Sequence, residues 1–380
     1  MTRLIEVLIS LAIVTALFLV ISLALPSSRH LTEKVETNRK LTIVYDTLDS
    51  LRRFDDWNPL LLRDPQMKVT LSGPPSGVGA RLDYSSENAA IGSGSWEIVA
   101  NDPGKSVTYA ITNNQRGHDK RATFVLRPTG HAGRNIQITE NYDVTYGWDL
   151  LGRYAGLYVA GHVGDDMSMG LGRLATMLTS VPNVDYRMQG SNWSNFRTVD
   201  VPAEHLLVVN AGSIARDPDK LAAAMKSDLE WIKRSMEASG LVAAGPLRII
   251  STEFGRETYT FDVAQPVRRG GGGTAGASDA GDGDAGATEA AAAAPAAPFV
   301  PLTGLKLQGP VKAVDTKPGR AAAVSYTGYM MSLENVHNAV RAWTLTQGQD
   351  VTDRPWDVYK NGIDQAITEN GQYDVYWMLK

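Results

Sequence analysis

Between Met67 and Val144 the chain is written as short alternating segments broken by Gly, Pro and Ser, and this pattern restricts the possible folds more than any other. Met67–Leu71, Ala80–Tyr84 and Trp96–Ile98 alternate apolar with polar residues, and Ser106–Ile111, Ala122–Leu126 and Asn135–Val144 continue the series of short runs. Turns such as Ser72-Gly73-Pro74-Pro75, Asp102-Pro103-Gly104 and Pro128-Thr129-Gly130 separate them. A period of two with turn residues between the runs predicts a meander of antiparallel strands. One face of such a sheet needs a cover. The residues flanking the meander can supply it: Leu41, Val44, Tyr45, Leu48 and Leu51 recur at helical spacing before it, and Met167, Leu171, Leu174, Met177 and Leu178 form one apolar stripe after it. Leu31–Thr37 alternates as a further strand.

At 380 residues the chain exceeds one ordinary core, so two or three domains are expected. Val7–Leu25 is an unbroken run of apolar and small residues that Pro26 stops. It is long enough to cross a hydrocarbon core of about 30 Å. We read residues 4–25 as an uncleaved transmembrane helix, the competing reading being a signal peptide cut after small residues near Ser22-Leu23-Ala24. The Lys/Arg count around it would keep the folded part cytoplasmic. An anchor with so short a leading tail is handled like a signal, which favours a single pass of a bacterial inner membrane with a periplasmic folded part. The net charge of −4 offers no basic field for nucleic acid, and cysteine is absent, which removes disulfides and thiolate chemistry.

A repeat organises the second half. Pro202 and Gly212 have the same spacing as Pro318 and Gly328, with Leu206–Val209 and Ala321–Val324 as the strands between them. An amphipathic helix follows each glycine, carrying Leu221, Met225, Leu229, Ile232 and Met236 in one copy and Leu333, Val336, Val340 and Trp343 in the other. The copies close on Phe261-Asp262-Val263 and Tyr373-Asp374-Val375. This predicts two β-α-β-β units in tandem over residues 198–380. Residues 268–298, mostly Gly, Ala, Asp and Pro, read as a disordered linker inserted between them. Asp282-Gly283-Asp284 within it lacks the further oxygen ligands of a calcium loop.

Two resemblances sharpen this. Trp57-Asn58-Pro59 after a short helix, then a strand, Ser72–Gly79, a strand and Gly92-Ser93-Gly94-Ser95-Trp96 resemble the SRPBCC (START-like, polyketide cyclase/lipid-transport) superfamily, in the bacterial branch that carries one N-terminal membrane helix. The resemblance covers roughly residues 29–180, within a domain read as 29–182. It implies a helix-grip arrangement in which a curved sheet wraps its last helix around a lipophilic cavity. The tandem units resemble the gyrase-inhibitor-like (AraC-type) effector-binding domain, through Ser325-Tyr326-Thr327-Gly328-Tyr329, Trp356-Asp357-Val358-Tyr359 and Tyr373-Asp374-Val375-Tyr376-Trp377. That family's motif acid faces a cleft between the two units and meets cationic aromatic ligands. Here Asp357 stands where Glu is usual, and the first copy lacks the motif.

The expected class is therefore α+β, with a membrane helix, a helix-grip domain and a tandem β-α-β-β domain. Six histidines lie scattered with no metal-ligand spacing, so no metal and no cofactor is expected. Ser93 and Ser95 sit in a glycine-kinked strand rather than a nucleophile elbow. Gly77-Val78-Gly79 lacks the third glycine of a dinucleotide fingerprint. Trp57, Tyr84, Trp96, Tyr109 and Tyr142, with Met167, Leu171 and Leu174, are expected to line the first cavity. Tyr326, Tyr329, Trp356, Asp357 and Tyr359 are expected at the second, where aromatic faces beside a carboxylate suit an organic cation. The reading is a membrane-tethered, non-catalytic protein that binds a hydrophobic or aromatic small molecule. Its alternatives are a cyclase/aromatase-like or hydrolase-like enzyme using Asp357, Tyr359 or Tyr142 as acid or base, and an envelope sensor or scaffold that binds another membrane protein.

Overall fold

The computed structural model describes residues 2–270, 299–352 and 354–380. Its contacts divide the chain into two units, Met1–Gln189 with Arg341–Asp350, and Gly190–Val340 with Val351–Lys380.

The first unit begins with helix α1 (Thr2–Ala24), which carries the apolar run and is exposed along most of its length. Strand β1 (Ser28–Thr37) follows, then α2 (Leu41–Leu48) and α3 (Phe54–Trp57). The meander is β2 (Lys68–Ser72), β3 (Arg81–Ser85), β4 (Ser93–Asp102), β5 (Ser106–Thr112), β6 (His118–Thr129) and β7 (Asn135–Thr145). Helix α4 (Leu150–Ala155) and helix α5 (Val159–Leu178) close the unit. The seven strands form one antiparallel sheet in the order β1-β7-β6-β5-β4-β3-β2, so only β1 pairs out of sequence. The alternation explains the sheet's two faces. On β7 the residues Ile136, Ile138, Glu140, Tyr142 and Val144 are buried while their neighbours are not. On β6 the buried set is Lys120, Ala122, Phe124 and Leu126. Helix α5 turns Met167, Leu171, Leu174 and Leu178 inward as the spacing predicts.

The floor of this unit is a closed ring of five aromatic side chains. Phe54 meets Trp57 and Trp96, Trp96 meets Tyr109, Tyr109 meets Phe124, and Phe124 returns to Trp57, with centroids 5.0–5.8 Å apart in edge-on or tilted geometry. Such pairs add to area burial because ring edges meet ring faces. The Tyr109 hydroxyl donates to the Leu48 carbonyl, tying the sheet to the end of α2.

The second unit contains β8 (Trp193–Val201), β9 (His205–Ala215), α6 (Pro218–Ser239), β10 (Leu241–Ala243), β11 (Arg248–Phe254) and β12 (Thr258–Arg269). After the undescribed stretch come β13 (Lys312–Asp315), β14 (Gly319–Thr327), α7 (Leu333–Thr346, of which Arg341–Thr346 count with the first unit), β15 (Trp356–Tyr359), α8 (Ile363–Ala366) and β16 (Gln372–Met378). The sheet runs β13-β9-β12-β11-β15-β16-β14-β8, with β10 paired to β12. The order β9-β12-β11 is mirrored by β14-β16-β15 about the β11–β15 pair, which is the repeat seen in the sequence. The two closing acids are used alike: Asp262 accepts from Asn210 on β9, and Asp374 accepts from Ser325 on β14.

Three boundaries differ from expectation. Arg268 and Arg269 extend β12 and pair with β10, so they are strand rather than linker; residues 271–298 of that linker, with Asp282-Gly283-Asp284, lie outside the described residues. The second unit starts before Thr198, because Trp193–Val201 pairs as an edge strand with β14. Gly212 lies inside β9 at a bulge rather than at a strand end, since Ala211 has no partner between Asn210↔Asp262 and Gly212↔Phe261.

Candidate functional site

A cavity opens in the first unit between the sheet and α5. Counted as the space open to the centre of a water molecule, its volume is about 120 Å³, whereas a single water needs only about 10–15 Å³ on that measure. The aromatic floor contributes Trp57 and Trp96. Tyr84 on β3, Ile111 on β5 and Tyr142 on β7 form the sheet wall, and α5 contributes Val163, Asp166, Met167 and Gly170. A methyl on Gly170 would come within 3.2 Å of Pro59, so the glycine lets α5 pass close to the Trp57-Asn58-Pro59 turn. Asn58 holds that turn by accepting from Leu60 N at 3.0 Å. Arg63 and Asp166, both lining the cavity, pair at 2.5 Å.

The polar group that sets this site apart is Glu140. It is 6% exposed, lines the cavity, and makes no hydrogen bond or ion pair among the described residues. It stands opposite Phe124 on β6 and Glu33 on β1. Burial, with a smaller contribution from the Glu33 charge, pushes its carboxyl up to about 8. At neutral pH this side chain is a neutral acid, able to donate a hydrogen bond into a chamber whose lining is part aromatic and part polar. Trp57 adds a second donor: its indole Nε1 is buried without a partner. Burial likewise raises the Tyr142 phenol, keeping it protonated. On β6, Lys120 is buried and its ammonium is depressed by desolvation. Its Nζ donates to Asn113 Oδ1 and to Gln115 O, both at 2.6 Å, which pins the loop that rims the cavity.

Of the residues expected at this cavity, Trp57, Tyr84, Trp96, Tyr142 and Met167 line it. Tyr109, Leu171 and Leu174 do not. Tyr109 is fully buried behind Trp96 with its hydroxyl on Leu48, and the two leucines belong to the packed side of α5. Glu140, Asn113 and Gln115 were not anticipated. The signal for Glu140 was present, as the one acid in the buried register of β7; Lys120 broke the register of β6 in the same way.

Glycine 94 holds Tyr84 in the wall. A methyl there would lie 2.2 Å from the Thr112 carbonyl on β5 and 2.5 Å from the Tyr84 hydroxyl. Gly94→Ala should therefore cost about 1–3 kcal/mol and push Tyr84 out of place. Thermal unfolding tests this, and a melting curve matching that of the parent would show that the contact is loose.

In the second unit the five expected residues do not gather around one cleft. Asp357 and Tyr359 are on the buried face of β15, whereas Trp356 is on the other face. Asp357 is 0% exposed: Oδ1 lies 2.7 Å from His337 Nε2, and Oδ2 is approached by Ser251 Oγ at 3.4 Å. Ser251 Oγ is in turn 2.7 Å from the Tyr259 hydroxyl. The expected cleft-facing acid is thus a core acid, because alternation along β15 aims it under α7. Tyr326 is buried and stacks on Tyr373, which Tyr359 meets edge-on. Tyr329 caps the β14 end, its carbonyl accepting from the Tyr326 hydroxyl. Trp356, stacked on Tyr376, lines a groove of about 290 Å³ on the same measure. Arg248, Glu204 and Lys317 share that groove, with Arg248 and Glu204 paired at 2.9 Å. Among the described residues no set of three or more potential metal ligands converges.

Residues 28–179 match the family described as polyketide cyclase/dehydrase and lipid transport. The match covers the sheet, the cavity and α5 of the first unit, and a ligand-binding role is what that family suggests. The fold is accordingly α+β: an N-terminal apolar helix, a helix-grip domain and a second sheet domain. Solved structures give further similarities. Norcoclaurine synthase from Thalictrum flavum is 13% identical, over 42% of this chain and 90% of that one, with a TM-score of 0.32. Protein Ms6760 from Mycobacterium smegmatis is 18% identical, over 40% and 91%, with a TM-score of 0.29. XoxI from Bacillus cereus is 14% identical, over 39% and 93%, with a TM-score of 0.30. A comparison with curated proteins finds no match.

Proposed function

We propose that the chain is a membrane-tethered binding protein whose first unit holds a compact apolar or aromatic guest bearing a carbonyl or ether oxygen. One observation carries this: the aromatic-walled cavity is lined by a neutral carboxyl and by Trp57, whose buried indole N–H has no partner. A donor held in an enclosed site without an acceptor is costly, so a guest that brings an acceptor to the Glu140 carboxyl gains a hydrogen bond there. The apolar walls supply the rest of the affinity. Helix α1, the one described helix long and apolar enough to cross a bilayer, is the tether, in our reading that of a bacterial inner membrane with both units on the periplasmic side. An alkaline phosphatase fusion after Lys380 tests the side: an inactive fusion would move the units to the cytoplasm.

Native mass spectrometry of the detergent-purified chain, titrated with 2-acetylnaphthalene as a neutral aromatic ketone, tests the binding. The parent should retain one molecule, and Trp57→Phe should weaken retention about tenfold through loss of one buried hydrogen bond. Equal retention by parent and variant would remove the donor from the argument.

A second reading is catalytic. A carboxyl that titrates near 8 inside a cavity is matched to proton transfer at neutral pH. Glu140 would be the acid or base, and Tyr142, two residues along the same face, would be its neighbour. Turnover of a bound ketone that Glu140→Gln abolishes while binding persists would favour it.

For the second unit, the effector-binding resemblance is supported by the mirrored strand order and by the groove at Trp356. With Arg248 paired to Glu204, Lys317 leaves that groove with one excess positive charge, which suits an anionic aromatic guest better than the cation that the motif implies.

A further inference from the structure

The last two turns of α1 are not bare. Phe18 stacks on Tyr154 of α4, with ring centroids 5.0 Å apart and planes 7° from parallel. Arg153 sends Nη1 to the carbonyls of Ser22, Leu23 and Leu25 at 3.3 Å and Nε to the Gly147 carbonyl at 2.9 Å. A guanidinium there satisfies carbonyls that a helix leaves without partners at its C-terminus and meets the negative end of the helix dipole. With those donors occupied, the charge is shielded. The residues facing outward around it are large and apolar: Trp148 is 83% exposed, Tyr158 is 67% exposed, and Leu151 and Leu157 are exposed as well.

Depth decides what covers this patch. At ~1.5 Å per residue, Val7–Leu25 spans roughly 28 Å, close to the whole thickness of a hydrocarbon core. Phe18 precedes Leu25 by seven positions, about 10 Å along the axis. A ring stacked on Phe18 then lies at the depth of about 5–10 Å that interfacial helices reach. Exposed Trp and Tyr are the residues that settle at that level. The patch is also joined to the cavity. Asp149 caps α4 by accepting from Gly152 N at 2.9 Å, and the same carboxylate takes Arg116 Nη1 at 3.1 Å. Arg116 adjoins Gln115 on the cavity rim.

We propose that α4, with Trp148 before it and Leu157–Tyr158 after it, is a second membrane contact that lies in the bilayer interface beside α1 and holds the Asn113–Gln115 rim of the cavity at the membrane surface. This rests on α1 being a membrane anchor. It gives the cavity a direct route to guests dissolved in the bilayer, so that an apolar molecule need not cross water to enter.

The cysteine-free chain allows a direct test. Leu151→Cys, Tyr158→Cys and Gln115→Cys, each carrying a nitrobenzoxadiazole fluorophore on the full-length protein, are reconstituted in phosphatidylcholine/phosphatidylglycerol vesicles. Nitroxide lipids labelled in the headgroup or along the acyl chain report contact. Val14→Cys in α1 reads the anchor, and Arg134→Cys, at the β6–β7 turn and the opposite end of the sheet from α1, reads water. The expected result is severalfold quenching by shallow acyl nitroxides at 151 and 158, quenching by headgroup nitroxides at 115, and none at 134. If 151 and 158 behave like 134 while 14 is quenched, the interfacial contact is wrong and the anchor stands. Shielding from water at 151 without lipid quenching means a protein covers the patch, which also overturns the proposal. Loss of quenching at 115 alone removes the rim from the membrane. If 14 also behaves like 134, the anchor fails and this inference falls with it.

Discussion

Glu140→Gln should abolish a fall in stability that the parent shows as pH rises from about 4.5 to about 8. In the unfolded chain this carboxyl ionises near 4.5, whereas in the fold it keeps its proton up to about 8, mainly because burial penalises the charge. The folded state therefore binds more protons than the unfolded state throughout that window. Stability must decline there as pH rises, by up to about 1.4 kcal/mol per pH unit from this group. The contribution is fully present below 4.5 and gone above 8. Across the window the loss is on the order of a few kcal/mol. Glutamine keeps the shape and cannot ionise, so the variant should match the parent near pH 4 and exceed its stability at pH 9. The two units are expected to unfold in separable transitions, and only that of the first should respond. Calorimetry at several pH values reads this, and parallel pH profiles for parent and variant would mean that the carboxyl is solvated. Guest retention should also fall above pH 8 in the parent, because the donor is then a carboxylate facing an acceptor.

Asp357→Ala should be the most damaging single change in the second unit, at about 3–5 kcal/mol. It removes the acceptor of a wholly buried pair and leaves His337 Nε2 without its partner in the core, with Ser251 also losing a neighbour. Asp357→Asn, which keeps the volume and one acceptor oxygen, should be milder. Were Asp357 a cleft-facing ligand group, alanine would instead change stability by no more than about 0.5 kcal/mol, as surface substitutions do, and would act on binding. Urea denaturation followed by tryptophan fluorescence distinguishes the two, since a shift in midpoint of the smaller size would restore the acid to the cleft.

How much of this was legible beforehand depends on whether the signal was local. The meander, its covering helices, the apolar N-terminal helix and the tandem β-α-β-β pattern all follow from periods of two and 3.6 and from turn residues, which act over a few positions. The identity of each strand's inner face was equally readable: Ile136, Ile138, Glu140, Tyr142 and Val144 share one parity, and the acid among them was visible there. The same parity separates Trp356 from Asp357: neighbours on a strand face opposite ways, so one cleft does not receive both.

Sequence alone thus determined the element types, the sheet-plus-helix class and the family match of residues 28–179. Only the tertiary structure decided which inward residues face space and which face other side chains, because a cavity is defined by elements distant in the chain. Whether Glu140 has partners depends on β1, β6 and α5 together, and no window of a few residues contains them. The same holds for Arg153, whose carbonyl partners on and just after α1 precede it by some 130 positions: its role at the end of α1 exists only once α4 is packed there.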